Sequence, residues 1–481
     1  MKTIIKSFLL ALVVVMASCD LPNNIDPKSA TAVTSDVLFT NVEISLFNQI
    51  GSVNVNRNVF RLLSQYQTEV TYVTESNYNF SDRTLPDTHW GILYRDVLAN
   101  AEETKKILNN TLFTDKQELK NKLAQTEVLE VYAYQMLVDA FGNVPYTEAL
   151  QGDANSRPKY DDAKTIYYDL VTRLDKAITD LTADAGSNTF ASADVLYGGD
   201  VTNWLAFANS LKLRIALRIA DVDATKAGTM ITQAVASGVF TSQDQSAILH
   251  YTGVTPYVNS YYTEYVLNAR RDYVPSNTFI DKLNSLNDPR LTSWVTTSDY
   301  YGGIYKGLTY GTAGRYSRFS HFVDGILFNP TYPVIISDYM EVEFLLAEAA
   351  ARTLGGVTGA EQHYNNAINA SMTYWGVSSA DAATYLSQPT VAYTTAPGTW
   401  KQKIGTQKWI GLFDRGIEAW NEWRRLDYPT LNPPAGMVYS DIPVRFPYPY
   451  NENKLNGTNY AAAAKAIGGD LTSTKLFWDK Y

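Results

Sequence analysis

The chain has 481 residues, of which 45% are hydrophobic and 19% charged, a balance typical of globular proteins and unlike that of disordered chains. Its 40 basic and 49 acidic residues give a formal net charge of −9, which disfavours a nucleic-acid-binding protein, because such a protein needs a basic surface. Its single cysteine excludes an internal disulfide and a zinc site built from several cysteines.

The N-terminus has the pattern of a secretion signal. Lys2 and Lys6 are followed by an apolar run over residues 8–17. No other apolar run in the chain is as marked, which excludes a polytopic membrane protein. Ten helical residues span ~15 Å, about half of what a bilayer requires. The run therefore predicts a signal peptide over residues 1–18. The small residues directly before Cys19 resemble a bacterial lipobox, in which that cysteine is lipidated; cleavage without lipidation is the alternative.

The segment after the cysteine is polar, contains two prolines and lacks a helical period. It predicts a flexible tether over residues 19–36 between the lipid and the folded body. Residues 37–481 are expected to form a single domain.

Helical periodicity dominates that domain. Apolar residues recur at three- and four-residue steps, Asp161 or Asp162 is placed to cap one helix, and Asp338 with Glu341 resembles a capping box. Neighbouring helices joined by short connections are typical of a TPR-like solenoid, so the expected fold is mostly α. The predicted helices cover residues 90–110, 116–141, 162–183, 203–220, 338–353, 360–374 and about 400–423.

The chain changes character over residues 240–335, approximately. Eleven of its 34 tyrosines lie between Tyr251 and Tyr316, among several glycines, which indicates a loop-rich insertion on the solenoid. Tyrosines on loops offer rings for stacking on sugars or peptide groups and hydroxyls for orientation. The alternative is that they pack in the core.

The segment from Asn77 to Arg83 is a second loop without helical period. Because binding residues usually lie on loops held by a rigid scaffold, we expect a ligand surface built from both regions. Its candidate residues are Asn77, Tyr78, Phe80, Arg83, Tyr257, Tyr261, Tyr262, Tyr301 and Tyr305.

No catalytic residue is predicted. Glu341, Glu343 and Glu348 are close in sequence, but the apolar stripe of their helix leaves Glu341 mainly as a partner of the helix dipole. The chain lacks a GxSxG elbow, a P-loop and a dinucleotide-binding fingerprint, and His321 has no recognisable catalytic partner. A second stripe, comprising Trp409, Phe413, Ile417 and Trp420, is expected to form a buried helix face.

Several segments together resemble the SusD/RagB family of outer-membrane nutrient-binding lipoproteins. They are DAFGNVPYTEAL (139–150), RDYVPS (271–276) with NDPRL (287–291), DYMEVEFLLAEAAAR (338–352), KWIGLFDRGIEAWNEWRRLDYP (408–429) and RFPYPYNENKLN (445–456). With the lipobox, these matches extend from Cys19 to about Asn456. Each motif alone is weak, and their number and order carry the resemblance.

The resemblance implies a lipoprotein of the outer membrane, facing the exterior and without enzymatic activity. Such a protein captures oligosaccharides or peptides and delivers them to a SusC-like TonB-dependent transporter. No cofactor is expected; some members bind calcium, and no acidic loop here has convincing calcium spacing. A surface glycan hydrolase and a TPR-type scaffold for protein contacts are the alternatives.

Overall fold

Helices dominate the computed structural model, which describes residues 33–183, 186 and 188–481. The predicted signal peptide and the lipidation site at Cys19 lie outside these residues. The residues from Ser35 to Tyr481 form one compact unit, whose first helix begins at Ser35. Within the described residues, no helix has both the length and the apolar character needed to cross a membrane.

The α-helices, in chain order, are α1 (Ser35–Gly51), α2 (Phe60–Leu63), α3 (Leu85–Gly91), α4 (Ala99–Asn110), α5 (Lys116–Phe141), α6 (Ala163–Ala183), α7 (Val201–Ile219), α8 (Ala224–Ser237), α9 (Ser260–Tyr262), α10 (Asn277–Ser285), α11 (Leu291–Trp294), α12 (Asp324–Leu327), α13 (Tyr339–Ala351), α14 (Ala360–Tyr374), α15 (Ser379–Ser387), α16 (Trp400–Gly411), α17 (Gly416–Leu426), α18 (Tyr450–Leu455) and α19 (Gly457–Ala466). Two π-helical segments, Ile92–Leu98 and Thr263–Leu267, continue α3 and α9.

The strands are short and form three antiparallel pairs in the described residues. They are β1 (Gln67–Glu69) with β5 (Tyr273–Pro275), β2 (Val144–Pro145) with β3 (Tyr160–Asp161), and β4 (Ala247–Leu249) with β6 (Val334–Ser337). Glu69 lies opposite Tyr273 in the first pair. The first and third pairs join segments far apart in the chain. The second pair lies within the connection between α5 and α6.

The predicted helix pairs are confirmed. Helix α4 packs against α5, α6 against α7, and α13 against α14, while α5 also packs against α6 and α7 against α8. Asp162 caps α6, since its Oδ1 accepts from the Thr165 amide at 2.9 Å. Asp338 caps α13 in the same way, accepting from the Glu341 amide at 3.0 Å. The mostly α, TPR-like scaffold expected from the sequence is therefore present.

The predicted helix over residues 400–423 is wrong as a single element. It breaks between α16 and α17, where Asp414 adopts a left-handed conformation with a φ of 69°. The Asp414 carboxylate accepts hydrogen bonds from Arg61 Nε at 2.6 Å and from the Tyr261 hydroxyl at 2.7 Å. Gly416 follows, where a Cβ would lie 2.4 Å from the Arg61 backbone nitrogen, so the chain turns where it touches α2. The predicted stripe is nevertheless buried.

Glu341 is also placed differently from the expectation. Its side chain is buried in the core together with Glu343 and Glu348, although α13 carries an apolar stripe. Glu341 forms ion pairs with Arg214 and Arg415, and Glu348 forms one with Arg425. Glu341 and Glu348 are buried together with arginines from distant parts of the chain that neutralise them, which spacing along α13 cannot reveal.

Candidate functional site

The two loop regions expected to bind a ligand lie side by side. Strand β1, which leads into the first region, pairs with β5 in the second. Asn77 Nδ2 donates to the Gly311 carbonyl oxygen at 2.9 Å, and the Gly314 amide donates to the Val70 carbonyl oxygen at 2.8 Å. The structure thus brings both segments to one part of the molecule, and ligand binding there stays a prediction.

A small apolar cluster of their own supports these loops. Val70, Val274 and Leu308 form it, apart from the main core, and Tyr316 and Phe319 pack against it. A satellite cluster under long loops fixes their backbone without a helix. The loops can therefore hold surface side chains in defined positions.

The nine candidate residues differ in exposure. Phe80 and Tyr261 are buried rather than at the surface, where they were expected. Phe80 packs its ring 5.3 Å from that of Phe446, and Tyr261 is held by Asp414. Absence of a helical period had suggested surface positions, but loops of this length also need apolar anchors. Of the other seven, the exposed ones are Tyr257 and Tyr301, and the half-buried ones are Asn77, Tyr78, Arg83, Tyr262 and Tyr305.

Two of the half-buried polar residues already have protein partners. Asn77 Nδ2 also donates to the Val73 carbonyl oxygen at 2.7 Å. Arg83 pairs through Nε with Glu75 at 2.6 Å and donates through Nη1 to Asn56 at 2.9 Å. Both side chains hold the first loop in place.

An exposed hairpin in the second region carries two adjacent exposed tyrosines. Ser298 and Ile304 bridge across its base, and a 3₁₀ turn contains Asp299–Tyr301. Gly302 and Gly303 both have a φ of 80°, a conformation that favours glycine and closes the turn tightly. Tyr300 and Tyr301 are 57% and 39% exposed at its tip.

The rings at this tip have a fixed geometry. The Tyr300 and Tyr301 ring centroids lie 5.0 Å apart at 83°, so the two rings form a corner. The Arg318 guanidinium lies 4.7 Å from the Tyr300 centroid, and the Tyr301 ring lies 5.8 Å from that of Phe319. We name this set the tyrosine hairpin surface, comprising Tyr300, Tyr301, Ile304, Lys306, Arg318 and Phe319.

Of the tyrosine hairpin surface, the sequence prediction found only Tyr301. The adjacent Tyr300 was missed, although the sequence Tyr-Tyr-Gly-Gly carries the signal of two rings before a tight turn. Arg318 and Phe319 could not be found from spacing, because they reach the hairpin from a segment more than ten residues farther along the chain.

Two concavities of the described unit are lined by residues outside the tyrosine hairpin surface. A groove of about 980 Å³ is lined by Tyr94, Tyr134 and Tyr146, and several of its charged residues are paired with one another, as Arg173 is with Glu127. The second is a cavity of about 430 Å³ with aromatic and proline walls. Its lining includes Phe80, Pro86, Pro447, Tyr448, Pro449, Tyr450 and Tyr460.

Acidic groups near the loops do not form an open pair. Glu69 and Glu75 are both buried; the Glu69 carboxylate accepts from the Ser76 amide at 2.9 Å, and Glu75 pairs with Arg83. Burial, together with a hydrogen bond to Glu75, raises the pKa of Glu69 to about 8. Across the described ranges, no three His, Cys, Asp or Glu side chains are grouped to hold a metal ion.

Comparison with known proteins identifies the family. A family model described as SusD-like, starch-binding and associating with the outer membrane matches residues 27–449. The chain belongs to this SusD-like family. The resemblance expected from the ordered motifs is therefore confirmed.

Solved structures show the same SusD-like architecture over nearly the whole chain. A chitin-binding protein shares 28% identity at a TM-score of 0.79, with 93% of this chain and 100% of that chain covered. A chitin-binding SusD homologue from Flavobacterium johnsoniae shares 27% identity at a TM-score of 0.78, covering 92% and 98%. A SusD homologue from Bacteroides uniformis shares 25% identity at a TM-score of 0.76, covering 92% and 99%. A comparison with curated proteins gives no significant match.

Proposed function

We propose that this SusD-like protein is a cell-surface lipoprotein that captures an oligosaccharide at the tyrosine hairpin surface. It then delivers the ligand to a SusC-like TonB-dependent transporter. The observation that carries the binding step is the exposed corner made by Tyr300 and Tyr301. The family description as starch-binding, and two chitin-binding relatives, favour a sugar over a peptide.

The chemistry of the corner suits a sugar ring. A pyranose presents C–H groups on its faces, which pack on aromatic rings, while its hydroxyls bond to polar groups at the edge. Aromatic pair contacts contribute about 0.5–1.5 kcal/mol each, so two rings alone give weak binding. Weak binding by the lipoprotein permits transfer, and the transporter closes the site from the other side.

The anchor belongs to the same proposal. Cys19 carries the lipid, and the residues from 19 up to the first helix at Ser35 tether the folded unit to the outer membrane, facing the exterior. The protein performs no catalysis and needs no cofactor for capture. A peptide ligand, a surface glycan hydrolase and a scaffold for protein contacts remain the competing functions.

The binding step is tested with the full-length lipoprotein purified in detergent. It is screened on an array of plant, microbial and animal glycans and of peptides, and the best ligand is titrated by calorimetry. Tyr300→Ala and Tyr301→Ala should each weaken binding about fivefold or more with unchanged melting temperature, from the loss of about 1 kcal/mol of stacking.

Tyr450→Ala is the matched control. Tyr450 is 63% exposed and has the Lys454 ammonium 4.3 Å from its ring, much as Tyr300 has Arg318. Its ring lines the 430 Å³ cavity rather than the hairpin. If Tyr450→Ala weakens binding and the hairpin variants do not, the ligand binds in that cavity and the assignment to the hairpin is wrong.

The delivery step has a separate test. Cells that contain the tagged lipoprotein should yield a large TonB-dependent barrel on gentle detergent extraction and affinity purification. Recovery of the lipoprotein alone, with its binding of glycan intact, would contradict the proposed partner and leave the capture step standing.

A further inference from the structure

The segment that contains the tyrosine hairpin surface is positively charged. Between Ser298 and Phe319 the sequence has three basic residues, Lys306, Arg315 and Arg318, and one acidic residue, Asp299. The segment is therefore positive by two charges in a chain whose formal net charge is −9. A neutral sugar has no charged group to pair with these cations.

Within the described residues, none of these three cations has an acidic side chain as a partner. In residues 33–183, 186 and 188–481, none of the three forms an ion pair or donates a side-chain hydrogen bond to the protein. Lys306 and Arg315 are exposed, and Arg318 is half-buried. Two other arginines of the loop regions do form ion pairs: Arg83 pairs with Glu75, and Arg270 pairs with Asp272.

Two of these cations are placed beside the exposed rings. The Arg318 guanidinium lies 4.7 Å from the centre of the Tyr300 ring, and Lys306 Nζ lies 5.8 Å from that of Tyr301. Stacking on the ring holds a guanidinium in place and leaves N–H groups at its edge free. The Ser298 hydroxyl donates to the Arg318 carbonyl oxygen at 2.6 Å, which fixes the Arg318 backbone against the hairpin.

We propose that the tyrosine hairpin surface selects acidic glycans, whose sugar rings carry carboxylate or sulfate groups. This inference rests on the proposed function and names its ligand class. The sugar face packs on Tyr300 or Tyr301, and the acidic group on the ring takes the free N–H groups of Arg318 and the ammonium of Lys306. Planar bidentate pairing with a carboxylate or sulfate is the interaction that an arginine guanidinium makes best.

Six probes test the selection, using the full-length lipoprotein in detergent and calorimetry at low salt. Two are acidic: a hexagalacturonate, which carries carboxylates, and a chondroitin sulfate hexasaccharide, which also carries sulfates. Two are their neutral counterparts, one methyl-esterified and the other desulfated and carboxyl-reduced. Maltohexaose and chitohexaose complete the set and test capture of neutral glycans.

We expect at least one acidic probe to bind about tenfold or more tightly than its neutral counterpart, as charge-assisted hydrogen bonds imply. The preference should shrink as salt rises. The variant Lys306→Gln, Arg315→Gln, Arg318→Gln should bind the acidic probe no better than the neutral one. The two acidic probes separate a carboxylate from a sulfate as the recognised group.

A second triple variant controls for net charge. Lys116→Gln, Lys120→Gln, Arg157→Gln removes three exposed cations outside the hairpin and should keep the preference. Equal loss of the preference in both triple variants would overturn the inference, because it would show a general charge effect.

The remaining outcomes separate this inference from the proposed function. If maltohexaose or chitohexaose binds as tightly as the acidic probes and Tyr300→Ala weakens that binding, the proposed selection of acidic glycans is overturned. That result would support sugar capture at the hairpin. Binding of none of the six probes would count against both.

Discussion

Arg214 on α7 and Glu341 on α13 form a buried, bidentate ion pair. Arg214 Nε and Nη2 donate to the two carboxylate oxygens of Glu341 at 2.6 and 2.8 Å. Arg415, just before α17, also donates to Glu341 and reaches Asp338 at 2.7 Å. One carboxylate thus ties together three parts of the scaffold that are distant in sequence.

The same arrangement continues along α17. Arg218 pairs with Glu418 at 2.7 Å and with Glu422 at 2.9 Å, and Lys408 pairs with Glu422 at 2.8 Å. All these side chains are buried. Removing one member of such a network leaves a buried charge without its partner. The resulting loss of stability is larger than the net stabilisation that the intact pair provides.

The first prediction concerns this network. Glu341→Ala should lower the free energy of unfolding by about 3–5 kcal/mol, because Arg214 and Arg415 then lose a buried counter-charge. Chemical denaturation followed by circular dichroism measures the change. Glu361→Ala, at an exposed position of α14, is the control and should stay within about 0.5 kcal/mol. A loss below about 1 kcal/mol for Glu341→Ala would contradict a structural role for the pair.

The network also makes the stability of the fold depend on pH. Burial raises the pKa of Glu341, but Arg214 and Arg415 more than offset it, and the pKa falls to about 2. Because this carboxyl is more acidic in the folded state, its stabilisation is present above the unfolded pKa of about 4.3 and is lost as pH falls towards 2. The difference in stability between wild type and Glu341→Ala should therefore shrink over that pH range.

The second prediction concerns Glu69, whose contribution to stability changes with pH in the opposite direction. Glu69 keeps its proton in the folded state up to pH 8, approximately, because burial and Glu75 raise its pKa to about 8. The unfolded chain loses that proton near pH 4.3, so this contribution to stability is lost as pH rises from about 4.3 through 8. Glu69→Gln cannot ionise and should gain stability relative to wild type between pH 5 and pH 9. A difference that stays constant with pH would show that Glu69 is already ionised in the fold.

The third prediction tests the aromatic core under α17. Trp420 is fully buried, its ring lies 5.4 Å from that of Phe60, and its Nε1 donates to the Pro443 carbonyl oxygen at 2.8 Å. Trp420→Ala should cost about 3–5 kcal/mol of stability, as other large aromatic deletions in cores do. Loss of glycan binding with an unchanged melting temperature would instead assign this residue to the ligand site.

The fourth prediction concerns attachment to the membrane. Cys19→Ala should release the protein from the outer-membrane fraction, because two or more acyl chains are what make such an anchor stable. Fractionation of cells, with detection of the protein in membrane and soluble fractions, measures this. Lys28→Ala, in the same predicted tether, should leave the distribution unchanged. Sedimentation of the Cys19 variant with outer membranes would refute the lipid anchor.

The sequence by itself determined the local features of this protein. Helix stripes repeat every three or four residues, and caps such as Asp162 and Asp338 act on amides three residues away, so both are written in short windows. The order of the family motifs and the apolar run before Cys19 are likewise local patterns. These gave the helix pairs, the SusD-like family and the loop-rich region.

Only the tertiary structure decided which side chains face one another. Arg61 meets Asp414 across 353 positions, at the point where the helix predicted over residues 400–423 is interrupted. Arg214 meets Glu341 across 127 positions, so a carboxylate expected at a helix end lies in the core. Exposure of Tyr300 and burial of Tyr261 depend in the same way on distant segments. The free energy of burying a side chain depends on the neighbours that the folded chain brings around it. A local sequence pattern does not record those neighbours.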